Sequence, residues 1–160
     1  MIKSTRSLGA IAGALGTAAL FGLGASAFAA ASNGRVDTGT SYAALTHTAG
    51  GFDYIAGTNS DKLFGACAVT FKLKTNVAST PGTVSVTAKR VVLFTSTGAL
   101  TGTGSSTVIA SANGSTTITN GKLNLNKGSG GQTGHTFVGT FTGTGTAAGR
   151  YVFHYKGTYK

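Results

Sequence analysis

Residues 134 to 160 read GHTFVGTFTGTGTAAGRYVFHYKGTYK, and their strict alternation leaves few folds open. Phe137, Gly139, Phe141, Gly143 and Gly145 fall on one parity, and Val138, Thr140, Thr142 and Thr144 fall on the other. A period of two is the period of a strand, where successive side chains point to opposite faces. After a turn at Ala147-Ala148-Gly149-Arg150 the pattern resumes. Tyr151, Phe153, Tyr155 and Tyr159 share one face with Gly157, and Val152, His154, Lys156 and Thr158 take the other. The segment reads as a long antiparallel hairpin with one aromatic face and one polar face. Glycines among the rings leave room for aromatic side chains on the neighbouring strand and let the sheet bend.

The same alternation runs upstream. Cys67, Val69, Phe71 and Leu73 share one face against Thr70, Lys72 and Lys74, and Val84, Val86 and Ala88 alternate with Ser85, Thr87 and Lys89. Two Asn-Gly pairs, Asn113-Gly114 and Asn120-Gly121, are hairpin signals, because both residue types tolerate positive φ. Two-residue loops there would pair Ile109 with Ile118 and Ile118 with Leu123. In the alternative, the second Asn-Gly is a bulge within one longer strand. Strands recur from about residue 65 with turn signals between them, as in a barrel or sandwich. Closure would also remove exposed sheet edges. The expected fold is all-β: an antiparallel meander closed into a small barrel of about eight strands. Residues 48–160 form this domain and residues 30–47 a flexible leader, with GTNSDKLFG (57–65) as a loop.

Composition supports strands over helices: 26 Gly, one Pro, 10% charged residues and many Thr. Residues 1–29 stand apart. Lys3 and Arg6 precede an apolar run from Leu8 to Leu23, and Ala27-Phe28-Ala29 fits a small-x-small cleavage site. Gly9, Gly13, Gly16 and Gly22 interrupt the run and Gly24 follows it, and a membrane span needs about 20 strongly apolar residues. A secretory signal peptide is the expectation, with no transmembrane span after its removal and a secreted or cell-surface protein as the product. Losing Lys3 and Arg6 lowers the net charge of +10 by two and removes no acid. The acids are only Asp37, Asp53 and Asp61. A domain this basic suits an anionic cell-wall polymer. It is not read as a specific nucleic-acid binder, because the lysines show no grouping with aromatics. Cys67 stands alone between apolar neighbours, as a small buried hydrophobe does.

The block KGSGGQTGHTFVGTFTGTG, with Gly128-Ser129-Gly130 and then Gly134, Gly139 and Gly143, resembles the dirigent and allene-oxide-cyclase-like barrels. The closing Gly157-Thr158-Tyr159 suits that superfamily too, and the resemblance spans about residues 65–160. It implies an eight-stranded antiparallel barrel, often a homo-oligomer, whose apolar cavity holds a small hydrophobic ligand. The acidic cavity residues of that superfamily find no counterpart within the matching block.

Arg90 is the most informative single residue. If the parity of Val84, Val86 and Ala88 continues, Arg90 points inward, where a guanidinium needs an anionic partner. A bulge at Lys89-Arg90 would instead switch the parity, turn both charges out and bring Val91 and Leu93 inside; this second reading is the favoured one. The candidate ligand-contacting residues are Arg90, Phe137, Phe141, Tyr151, Phe153 and Tyr155. His47, His135 and His154 are scattered and assign no metal, and no cofactor or catalytic residue is assigned. The expected function is binding of a small apolar or amphipathic ligand, or of a cell-surface component. The alternatives are a structural or adhesive surface protein, and an extracellular isomerase- or cyclase-type enzyme using the same cavity.

Overall fold

The computed structural model describes residues 34–76 and 80–160; the expected signal peptide lies outside them. Eight strands follow in chain order: β1 (Arg35–Ala49), β2 (Phe52–Asp61), β3 (Gly65–Asn76), β4 (Thr83–Phe94), β5 (Gly98–Ala110), β6 (Thr116–Gly130), β7 (Phe137–Gly145) and β8 (Arg150–Tyr159). Each pairs antiparallel with the next, and β1 pairs with β8 from Arg35↔Tyr159 to Ala44↔Arg150, which closes the barrel. Closure leaves no free edge in a chain rich in β-formers.

The expected leader is a correction. Residues 35–47 are not a flexible approach to the domain but most of β1, and Gly57–Asp61 belong to β2 rather than to a loop. The reason is an inverted pattern. Asp37 and Ser41 of β1 are buried, while Val36 and Tyr42 are 65% and 57% exposed. On β2 the buried residues are Ile55, Asn59 and Asp61. Polar side chains occupy inner positions where a strand usually shows apolar ones.

Bulges set the remaining register. Across β4 and β5, Ala88 pairs with Gly104 but Val91 pairs with Gly102, so β4 carries one extra residue at Lys89-Arg90. Val91 and Leu93 are buried beyond it. The second Asn-Gly likewise lies within a single strand: Asn120 has φ +52°, and β6 gains one residue between Ile118 and Gly121 relative to β7. Ile109 pairs with Thr117, not Ile118. That slip of one residue puts Ile109 outside, 42% exposed, and Ile118 inside at 4%.

One end of the barrel is packed. Val91, Leu93, Leu100, Leu125 and Phe137 form its core with Cys67 and Val69. Phe137 meets Tyr155 edge-on, with ring centroids 5.8 Å apart. A Cβ on Gly157 would overlap the Phe137 ring, so the glycines do make room for rings, as the sequence suggests. Buried Gln132 closes this end: its Nε2 donates to Thr97 and its Oε1 accepts from the Tyr159 hydroxyl. Toward the other end, Val84, Val86, Val108, Tyr151 and Phe153 are only half-buried.

Candidate functional site

A cavity of about 180 Å³ occupies the barrel interior. Phe137, Phe141, Tyr151, Phe153 and Tyr155 all line it. They come from the inward parity of β7 and β8, and opposed rings such as Phe141 and Phe153, 5.9 Å apart, hold its walls. Arg90 is the exception and a correction: it is exposed on the outer face, opposite Lys72. The bulge at Lys89-Arg90 is the physical cause, since it turns both charges to water and spares the barrel an unpaired guanidinium.

The acids supply what the sequence reading missed. Asp37, Asp53 and Asp61, every carboxylate side chain of this protein, line the cavity. Asp37 is 1% exposed and Asp61 6%. Antiparallel pairing of β1 with β2 and β8 brings the start of β1, the end of β2 and Tyr155 together at the packed end of the barrel. There a chain of donors runs toward the carboxylates. The Ser41 hydroxyl donates to Asn59 Oδ1 at 2.6 Å, and Asn59 Nδ2 donates to the Tyr155 hydroxyl at 2.8 Å. The Tyr155 hydroxyl donates to Asp61 Oδ2. Asp61 Oδ1 accepts from the backbone N–H of Leu63 and Phe64, at 2.7 and 2.8 Å. Gly39 permits this crossing, because a Cβ there would overlap the Tyr155 hydroxyl.

Asp37 is less well supported. Its Oδ1 accepts from the Thr38 N–H at 2.9 Å, but among the described residues its buried Oδ2 has no hydrogen-bond donor. Burial, and then the neighbouring Asp61 charge, raise its pKa from 3.8 to about 6. Burial and the bond to Asp61 push Tyr155 up, so its hydroxyl keeps its proton. Cys67 is raised by burial and by both carboxylates, which keeps it a thiol and not a reactive thiolate. At the half-buried end, Asp53 Oδ1 accepts from the Thr48 hydroxyl at 2.7 Å and its charge adds to burial in raising Tyr151.

The histidines do not converge: His47 stacks on Tyr54, His135 on Tyr159, and His154 bonds Thr40. Among the described residues no group of three or more His, Cys, Asp or Glu is placed to hold a metal ion. One sequence signal did point to the acidic site. A chain with only three acids has all of them between residues 37 and 61, on segments that pair. Comparison of the chain with models of protein families, with curated proteins and with solved structures found no match.

Proposed function

We propose that this is a secreted binding barrel that holds a small, mainly apolar molecule with one polar group. The cavity carries this reading: aromatic and aliphatic walls surround a few convergent polar side chains, the usual make-up of a small-molecule site. Its volume of about 180 Å³ suits a ligand of one ring, since an apolar cavity of about 150 Å³ admits benzene. The N-terminal charge, apolar run and small-x-small site support secretion.

Calorimetric titration with toluene tests the reading. Saturable binding is expected, with Val86→Phe weakening it at least about tenfold by filling space in the wall. Arg90→Ala should leave it unchanged, because Arg90 lies on the far side of the sheet. A folded protein that takes up neither toluene nor a single-ring analogue with one polar group, benzyl alcohol or benzylamine, would refute the proposal.

A second reading rests on how charge is sorted. All three carboxylates line the cavity, while apart from half-buried Lys72 every Lys and Arg from Arg35 onward is exposed. His47, Tyr54, Lys72 and Arg90 form one row across four outer strands, through the pairs His47↔Tyr54, Tyr54↔Lys72 and Lys72↔Arg90. Lys72 Nζ sits 4.2 Å above the Phe52 ring. Two cations directly opposite each other repel, and an anion bridging them would relieve this. The exterior therefore suits an anionic cell-wall polymer. Retention on such a polymer should fall with salt, and Lys72→Ala with Arg90→Ala should elute at clearly lower salt. Elution of that double variant at the parent's salt concentration would remove the row from the surface's role.

A further inference from the structure

The carboxylates at the inner end of the cavity specify the polar group of the ligand. We propose that the barrel takes a small organic cation, a protonated amine carried on a single ring, with its ammonium seated against Asp37 and Asp61. The inference rests on the cavity being a binding site. Its own basis is the unmatched oxygen: Asp37 is 1% exposed, its Oδ2 has no donor among the described residues, and it lines the space the ligand would fill. A buried anionic oxygen without a donor is costly, and a cationic N–H supplies both the bond and the charge.

The other groups facing Asp37 meet this need only in part: the Leu63 N–H lies beside its carboxyl, and a proton shared with Asp61 supplies a donor only by removing the Asp37 charge. Asp61 of β2 is itself an acceptor, and both of its oxygens are already bonded, to Tyr155 and to the Leu63 and Phe64 N–H groups. The single hydroxyl proton of Tyr155 of β8 goes to Asp61. Cys67 of β3 directs its thiol toward the Phe64 and Gly65 carbonyls, at 3.9 and 3.8 Å. Among the described residues no Lys or Arg is buried with the pair; the cations are outside. Above about pH 6 the Asp37 carboxyl is ionised, so its negative charge faces an apolar space. A calcium ion fits poorly, since it takes six to eight oxygens and this pair has one left unbonded. An aryl ammonium fits better: its ring lies among Phe137, Phe141 and Phe153, and its charge lies near the Phe137 and Tyr155 rings.

The test compares benzylamine, benzyl alcohol and toluene by calorimetry on the folded full chain at pH 7.5. Benzylamine is expected to bind at least tenfold more tightly than benzyl alcohol. Asp37→Asn should bring the two within about threefold of each other, and lowering the pH to 5 should do the same to the parent protein. Arg90→Ala, on the outer face, should leave the preference intact. If toluene and benzyl alcohol bind and benzylamine binds no more tightly, the cation inference is overturned while the cavity reading stands. If preference for the amine is lost in Asp53→Asn and kept in Asp37→Asn, the placement at the inner pair is overturned. If none of the three binds, the cavity reading itself falls and takes this inference with it.

Discussion

Asp61→Ala should destabilise the barrel by about 3–4 kcal/mol, among the largest losses available to a single substitution here. Three donors lose their acceptor at once: the Leu63 N–H, the Phe64 N–H and the Tyr155 hydroxyl. The first two hold the turn from β2 into β3, and the third joins β8 to β2 across β1. Each donor stranded away from water costs about 1–3 kcal/mol, partly offset here because one of two repelling carboxylates is gone. Asp61→Asn separates the contributions, because its amide oxygen can still accept from the turn, and it should cost about 1 kcal/mol. Urea unfolding of both variants reads the difference. An Asp61→Ala protein within about 1 kcal/mol of the parent would show that this network does not hold the barrel's inner end together.

The strands that sequence reveals best are those with the least chemistry on them. In β7 and β8 an apolar inner parity opposes a polar outer one, and the aromatic face read from the sequence is the face lining the cavity. In β1 and β2 the inner parity holds Asp37, Ser41, Asn59 and Asp61, so alternation fails as a signal where the polar cluster is built. The same residues hide the strands and make the site. Long-range pairing is what unites them: Asn59 and Tyr155 are 96 positions apart, and no local pattern joins them. Turn chemistry is legible in kind but not in register. Asn120 does take the left-handed backbone that an Asn-Gly pair favours, but Gly121 does not, and the pair lies within a bulge and not a hairpin loop. Arg90 shows the converse. Its place depends on one extra residue in β4, and the high cost of burying a guanidinium is enough to favour that bulge from the sequence alone.

Asp37→Asn should act in the opposite direction to Asp61→Ala and stabilise the empty barrel at neutral pH. The folded-state pKa of Asp37 is raised from 3.8 to about 6, so the folded protein holds this proton more tightly than the unfolded chain does. The associated stability is complete below about pH 4 and is lost as pH rises toward and through 6. Discounted for screening by water and for its sharing with Asp61, the shift corresponds to on the order of 1–2 kcal/mol. Urea midpoints of the parent should therefore fall between pH 4 and pH 6.5, and those of Asp37→Asn should stay nearly flat. At pH 7.5 the variant should be the more stable protein, since a neutral amide replaces one of two buried like charges and brings a donor toward Asp61. A parent profile without this fall, or a variant less stable than the parent at pH 7.5, would show that Asp37 is not a strained charge. Ligand makes the argument sharper. A cation at the pair stabilises the ionised form, so saturating benzylamine should raise the parent's midpoint most above pH 6 and flatten its profile, while leaving Asp37→Asn almost unmoved. A carboxylate that weakens the empty barrel and strengthens the occupied one is held in place by what it binds, not by the fold around it.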